Sequence, residues 1–504
     1  MPEKILSAGL MGLKVQLVEV EADVGGGDLG LFSIVGLPDK AIFESKERVR
    51  SAIKSIGVQF HRRKIVVNLA PADFKKQGPG YDLPIAVSIL SIHYDLAEDF
   101  EKAVFIGELS LNGDLRPVRG ILSIVDYLKK IKIEKIYLPQ QNSFEAKLIK
   151  GIKVFPVRNL KELFYHLKRK KMINELADFK VVFPKVDNFF DMKNIKGQRQ
   201  AKRALEIAAA GSHNILLFGP PGSGKTILAK SLVSILPSLN LEESLEITKI
   251  YSIAGRLGQK SLIFKRPFRS PHHTSSSASI LGGGAWPRPG EISLAHRGIL
   301  FLDELPEFSR SVLENLRQPL EEGLVNICRT SNSVVFPARF MLVSAMNPCP
   351  CGYLGDKNKK CICSPGQLLN YQKKISGPIS DRIDIFIEVP RVNFNNLIRR
   401  DLEESSIEIK KRVEKAKNIQ LERFKSLNIF TNNEMNIEHL KKFCFLDKLT
   451  EQLLREVVDK LSLSARSYFR VLRVARTIAD LAGNEEISFH DVAEALQYKA
   501  QLGN

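Results

Sequence analysis

The sequence predicts a multidomain α/β protein organised around a nucleotide-binding core, and three observations lead there. The apolar run Ile215-Leu216-Leu217-Phe218 enters Gly219-Pro220-Pro221-Gly222-Ser223-Gly224-Lys225-Thr226 and then a helical run from Ile227 to Leu236. A second apolar run, Gly298-Ile299-Leu300-Phe301-Leu302, ends in Asp303 and Glu304, about 77 residues farther on. The chain has 504 residues, too many for one core, so two to four domains are expected.

Composition narrows the class. Apolar residues make up 44%, as in globular proteins. No apolar stretch approaches the roughly 20 residues that span a bilayer, and the first 30 residues lack the order of a signal peptide. A cytoplasmic protein without membrane contact is expected. The formal charge of +19 favours a polyanionic partner, nucleic acid or an anionic membrane surface, unless it reflects only a lysine-rich background. Four of the six cysteines crowd between Cys349 and Cys363, which suits metal chemistry better than a disulfide framework.

Residues 1–170 read as a small α+β domain in which β-rich runs alternate with amphipathic helices. Leu37-Pro38-Asp39 opens one helix, with Ile42, Val49 and Ile53 inward and Lys46, Arg48, Arg50 and Lys54 outward. A basic cluster, Lys168-Arg169-Lys170-Lys171, then leads into a poorly periodic stretch, so 171–188 is the expected linker. Such a charge run is a solvated face or a nucleic-acid contact.

The expected ATPase core runs from 189 to 392. Ile195-Lys-Gly-Gln198 precedes an alanine-rich helix that leads into the phosphate strand. A strand that turns through glycines into a helix presents backbone N–H groups and the positive helix end to one point, which suits phosphate. Across Gly219 to Thr226 the pattern is G-x-x-x-x-G-K-[ST], with Lys225 reaching the β- and γ-phosphates of ATP and Thr226 ligating Mg²⁺. Asp303 would hold the Mg²⁺ shell, and Glu304 would orient and polarise the attacking water. A third strand, Phe340-Met-Leu-Val-Ser-Ala345, ends at Met346-Asn347, where a polar side chain can contact the γ-phosphate or its water.

Two insertions mark this core. The first contains Phe268-Arg-Ser-Pro-His-His-Thr274, Gly282-Gly-Gly284 and Ala285-Trp286-Pro-Arg288, a glycine- and proline-dense hairpin or loop. Trp286 and Arg288 would stack on a DNA base and meet its phosphate, or else pack the loop on its own subunit. His272 and His273, adjacent in an extended chain, should point apart and make hydrogen bonds in preference to ligating a metal. The second is Cys349-Pro-Cys351 and Cys361-Ile-Cys363 around a polar loop; four thiolates can surround Zn²⁺, with iron–sulfur or redox roles, or no metal, as alternatives. Residues 393–504 read as a helical lid.

The motifs also resemble a known family. Gly36-Leu-Pro-Asp39, Asn68-Leu-Ala-Pro-Ala-Asp73 and Gly107-Glu-Leu-Ser-Leu-Asn-Gly-Asp-Leu-Arg-Pro-Val-Arg-Gly120 resemble the Lon-protease-like domain, of ribosomal protein S5 domain 2-like fold, at the front of ComM/YifB-type magnesium-chelatase-related ATPases. Proteolysis is not expected, because Gly80 stands where the nucleophilic serine belongs and Gly120-Ile-Leu-Ser-Ile124 offers no lysine. Gly377-Pro-Ile-Ser-Asp-Arg-Ile-Asp384 resembles the chelatase and MCM pattern whose arginine reaches a neighbouring subunit's site, which makes Arg382 the candidate arginine finger. Arg466 resembles the sensor-2 arginine of an AAA+ lid, which would fold over the phosphates. The resemblance implies an AAA+ homohexamer that hydrolyses ATP and acts on single-stranded or branched DNA, by helicase or branch-migration activity, as incoming DNA is integrated. A chelatase-like or protein-remodelling ATPase is the alternative.

Overall fold

The computed structural model describes residues 3–25, 31–60, 63–73, 75–181, 190–258, 262–284, 287–329, 332–356, 359–375, 379–392, 403–427, 429–460 and 464–499. The chain divides into two compact units, 1–184 with 244–263, and 185–243 with 264–504.

The first unit carries a seven-stranded mixed sheet in the order Phe32–Val35, Lys64–Ala70, Lys14–Gly25, Lys4–Met11, Ala103–Phe105, Lys135–Pro139, Lys153–Val157. Lys4–Met11 and Lys14–Gly25 form an antiparallel hairpin, and the strands beyond Ala103 add in parallel. Alternation decides the faces: Val18, Val20 and Ala22 are buried while Glu19, Glu21 and Asp23 point to the other side. Helix Lys40–Ser55 begins where the Asp39 carboxylate accepts the Ile42 N–H at 2.9 Å. Its inner face presents Ser45 and, contrary to the outward expectation, Arg48 to the fully buried Asp82, whose carboxylate accepts from Arg48 Nε at 2.7 Å and from the Leu109 N–H at 3.1 Å.

Two boundaries differ from the sequence reading. The stretch from Met172 onward, expected as linker, packs on the first unit: the Leu176 N–H donates to Val154 at 2.9 Å, and Lys147 pairs with Glu175 and Asp178 at 2.9 and 3.0 Å. Residues 182–188 of that expected linker lie outside the described residues. Ser244–Ile263, expected within the ATPase core, belongs to the first unit. The cause is polar pairing: Ser252 Oγ donates to Glu145 at 2.5 Å and accepts from the Gly120 N–H at 2.9 Å, while Lys249 meets Asp126 at 2.9 Å.

The second unit is built on a five-stranded parallel sheet in the order Phe268–Arg269, Ile299–Leu302, Met341–Met346, Ile215–Phe218, Ile385–Glu388. Helices Arg199–Gly211 and Lys225–Ile235 lie against it. Its central strands are buried throughout, as continuous apolar runs covered on both faces must be. The C-terminal helices Ser406–Arg423, Ala465–Ala482 and Phe489–Gln497 share one hydrophobic core with the sheet, joining Val413, Ala475 and Val492 to Ile215 and Val343. Among them Asp480, fully buried, accepts from Arg423 at 2.5 and 2.8 Å and from Asn432 at 2.8 Å; the buried Arg476 spans Asp480 and the Asn484 and Glu485 carbonyls.

Candidate nucleotide site

The C-terminal ends of the parallel strands converge on one edge, where a doubly wound sheet binds its ligand. Strand Ile215–Phe218 ends there at Gly219. A Cβ at Gly219 would come within 2.2 Å of the Val389 carbonyl, so the loop can leave the sheet only through glycine. Gly222 and Gly224 have φ of 76° and 93°, in the left-handed region that glycine tolerates, and helix Lys225–Ile235 follows at once.

Lys225 Nζ donates to the Gly219 and Pro220 carbonyls at 2.8 and 2.9 Å and to Asn347 Oδ1 at 3.2 Å. Burial lowers the pKa of this ammonium, with Asp303 opposing. Thr226 Oγ1 donates to Asp303 Oδ2 at 2.9 Å. These two hard oxygens fit an octahedral Mg²⁺ that keeps most of its waters. Asn347 follows strand Met341–Met346, which lies between the phosphate strand and the acidic strand. Gln198 reaches the loop from the other side, donating to the Ser223 and Pro390 carbonyls at 3.4 and 2.6 Å. Its left-handed backbone, φ 57°, had no signature in the sequence.

Glu304 also takes a left-handed φ, 54°, and its side chain is 58% exposed. His273 Nδ1 lies 3.7 Å from its Oε2. The two histidines do not point apart as expected, since their rings lie 4.1 Å apart at 33°. Thr274, bonded to His272 Nδ1 at 2.8 Å through its hydroxyl, turns the chain there.

The cysteine cluster stands next to this edge. Sγ atoms of Cys349, Cys351 and Cys361 are 3.3 to 3.7 Å apart, and all four, with Cys363, lie within 4.8 Å of one another. A tetrahedron of thiolates with Zn–S near 2.3 Å has edges of about 3.8 Å, so the donor set fits zinc. N–H groups of Ile362 and Tyr353 draw the Cys351 thiol down to about 6. A Cβ at Gly352 would come within 2.7 Å of the Pro221 ring, and Tyr371 Oη donates to the Asn347 carbonyl at 3.1 Å. The cluster loop thus packs on the phosphate loop through Gly352, and the helix Pro365–Ile375 that follows the cluster holds the Asn347 carbonyl through Tyr371.

The two candidate arginines lie elsewhere. Arg382 ends the turn Ser380–Arg382, just before strand Ile385–Glu388, which pairs in parallel register with Ile215–Phe218. It thus stands at the opposite edge of the sheet from Gly219. Its guanidinium, 8% exposed, donates to Glu321, and Arg466, 64% exposed, lies 3.9 Å from the same carboxylate. Arg466 does not fold over its own chain's phosphate loop; it shares the far edge with Arg382. Arg470 donates to the Ser380 and Ile383 carbonyls at 3.0 and 2.6 Å and so fixes the Arg382 turn. A cavity of about 260 Å³ opens at that same far edge, beside Asn214, Gly298 and Met341, and holds no part of the phosphate loop.

Within the first insertion, Gly282–Gly283 pairs with Arg288–Pro289 as a short hairpin with Arg288 exposed. Trp286 lies outside the described residues.

Comparison with known proteins agrees with this architecture. Three family models match: magnesium chelatase subunit ChlI over 191–397, its C-terminal part over 403–499, and a further ChlI model over 20–142. The chain is 41% identical to the competence protein ComM of Haemophilus influenzae, covering 99% of this chain and 97% of that one. It is 40% identical to the uncharacterized protein YifB of Escherichia coli over 97% of this chain and 95% of the relative. A magnesium-chelatase subunit ChlI homolog of Methanocaldococcus jannaschii is 22% identical over 60% of this chain and 82% of its own length. A mixed α/β fold with a parallel sheet, and an ATPase as its activity class, follow from that kinship. With near-full-length identity of this order, the chain belongs to the ComM/YifB family of magnesium-chelatase-like AAA+ proteins.

Proposed function

We propose that this protein is an ATP-driven ring motor acting on DNA, a helicase or branch-migration factor that serves recombination of incoming DNA during natural transformation. The observation that carries the ATPase half is the meeting of Lys225, Thr226, Asp303 and Asn347 within hydrogen-bond distance at the ligand edge of the sheet. In this reading Lys225 leaves the Gly219 and Pro220 carbonyls for the β- and γ-phosphates, and the Gly219 to Thr226 backbone cradles the chain of phosphates. Thr226 and Asp303 hold Mg²⁺, which supplies charge neutralisation across the phosphates. Glu304 orients the attacking water and accepts its proton, and Asn347 steadies the γ-phosphate side.

Arg382 and Arg466 serve the next subunit's nucleotide. Strand register puts Arg382 at the edge away from its own phosphate loop, Arg466 approaches the same Glu321, and a head-to-tail ring would bring that edge to a neighbour. We take the assembly as a closed ring, a homohexamer, in which this division of the site repeats. The zinc reading of Cys349, Cys351, Cys361 and Cys363 makes the metal structural, closing all four positions.

The DNA half is supported by the +19 charge and by the name of the Haemophilus relative, a competence protein. Arg288, exposed on its hairpin, and Trp286, two residues before it in the sequence, are the proposed contacts. The first unit is read as a Lon-like domain without proteolytic activity, since Gly80 carries no nucleophile. ATP turnover measured with and without single-stranded and forked DNA at low salt tests the whole reading. Stimulation severalfold is expected; turnover indifferent to every DNA form would remove DNA and favour a chelatase-like or protein-remodelling ATPase.

A further inference from the structure

Charge gathers a second time at the far edge of the sheet, away from the phosphate loop. The cavity of about 260 Å³ there is lined by the cations Arg266, Arg297, Arg339 and Lys417. Carboxylates on its walls are already engaged. Glu243 accepts from Arg266 at 3.0 and 3.2 Å, and Glu434 accepts from Arg339 at 3.3 Å and from the Thr431 hydroxyl at 3.2 Å. Glu321 accepts from Arg382, and Glu322 from Gln318 at 2.8 Å.

Lys417 is the cation left without a counter-charge. Among the described residues its ammonium makes one hydrogen bond, to the Phe430 carbonyl at 2.6 Å, and pairs with no carboxylate. Burial, together with Arg266 and Arg297, works against its charge, and Glu243 and Glu434 oppose them only in part. An ammonium carries three N–H donors, so two remain for a ligand. The surrounding cations are set in place beforehand. Arg266 Nε and Nη1 donate to the Pro237 and Arg297 carbonyls at 2.7 and 2.8 Å. Arg297 takes a left-handed φ of 57°, uncommon for a side chain of its size, and its guanidinium lies 4.8 Å over the Phe430 ring. A residue in that backbone region persists only where its surroundings hold it, and such residues gather at ligand sites.

We propose that this cavity is a binding site for a small oxyanion of the phosphate class, held by the Lys417 ammonium with Arg297 beside it and separate from the nucleotide site. The oxyanion supplies the missing counter-charge and accepts from the two remaining donors of Lys417 in charge-assisted hydrogen bonds. Without it, the buried ammonium is only a cost to folding. The cavity is smaller than the pockets that enclose drug-sized ligands, so its occupant is inorganic phosphate or a small phosphorylated molecule.

The phosphate loop also suits phosphate, so the test fills it first: full-length protein is saturated with Mg²⁺ and a non-hydrolysable ATP analogue, and radiolabelled inorganic phosphate is added in equilibrium dialysis. Wild type is expected to retain about one phosphate per chain, and Lys417→Met to bind it at least about tenfold more weakly while analogue affinity stays within about twofold. Phosphate should also raise the denaturant midpoint of wild type and leave that of Lys417→Met in place, because a ligand stabilises only the state that binds it. Lys225→Ala, whose phosphate loop is impaired, should retain phosphate as wild type does. No retention by analogue-saturated wild type at millimolar phosphate would overturn the proposal. So would equal retention by Lys417→Met, which would mark an adventitious ion only, or loss of the bound phosphate in Lys225→Ala, which would place it at the phosphate loop. Competition with glycerol phosphate separates the two sources: displacement at lower concentration than phosphate itself assigns the site to a phosphorylated metabolite, and weaker displacement assigns it to inorganic phosphate.

Discussion

Two buried amines carry opposite consequences at the scale of single residues. Lys225 is buried for use, its ammonium satisfied by two carbonyls and Asn347. Lys225→Ala should weaken ATP binding by an order of magnitude or more, whereas Glu304→Gln should bind ATP normally and trap it, because one group holds phosphate and the other serves water. Equilibrium binding and single-turnover hydrolysis measured on both variants distinguish the roles; equal turnover of wild type and Glu304→Gln would remove the assignment. Lys417, by contrast, is buried beside Arg266 and donates to the Phe430 carbonyl at 2.6 Å. Burial, helped by Arg266, lowers its pKa to about 8 from 10.5. Below about pH 8 the amine is charged in folded and unfolded chains alike, and the folded state bears the full burial cost, about 3 kcal/mol. Between about pH 8 and 10.5 the unfolded chain binds the extra proton, so stability rises with pH. Lys417→Met should therefore gain most over wild type near pH 7, and the difference in denaturant midpoint should shrink as pH approaches 10. A difference independent of pH would show that the amine is not the cause.

Elements here are held by contacts that sequence periodicity carries unevenly. The cysteine knuckle is one: purified protein should hold about one zinc per chain by elemental analysis, and Cys361→Ser should lose it. Because Gly352 abuts Pro221, loss of the metal should also lower ATP turnover, measured after chelator treatment and restored by zinc. Protein free of every metal but fully active would sink this. Another is the docking of Ser252 on the first unit, where its hydroxyl serves both Glu145 and the Gly120 N–H. Ser252→Ala should cost about 1–3 kcal/mol, seen as faster hydrogen exchange at Gly120 and Leu122. The strand, glycine loop and helix around Lys225 were legible because every signal is local, and the acidic strand was legible because a buried parallel strand must be apolar throughout. The docking of Ser252 was not, since its partner Glu145 lies 107 residues away and each alone reads as an ordinary polar residue. His273 was misread for a similar reason: alternation in an extended chain would separate it from His272, and the turn made by Thr274 overrides that alternation.

At the scale of the molecule, charge and ring geometry give the last two expectations. A phosphate-directed DNA contact requires affinity to fall with salt, with a slope of roughly 0.7 to 0.9 per phosphate neutralised, and Arg288→Ala should lower that slope by about one unit. Binding unaffected by salt would assign the positive charge to another partner. The ring makes a sharper demand. Arg382 lies at the sheet edge opposite Gly219, with Arg470 holding its turn and Glu321 accepting from its guanidinium, so on the proposed ring reading its nucleotide partner would be a second chain's. Arg382→Ala should keep ATP affinity within about twofold yet lose turnover, since the arginine meets charge that develops only as the γ-phosphoryl group leaves. Mixing it with Glu304→Gln then discriminates between an arginine that serves its own chain and one that serves the next. If it acted within its own chain, every subunit in the mixture would be dead. Acting on the neighbour, it leaves a working site wherever an Arg382→Ala chain with its intact Glu304 faces a Glu304→Gln chain with its intact arginine. In randomly mixed rings with equal amounts of the two, that is about a quarter of all interfaces. Turnover should therefore reappear on mixing two inactive proteins and stay well short of wild type, whereas a mixture as inactive as its components would show that Arg382 does not cross the subunit boundary.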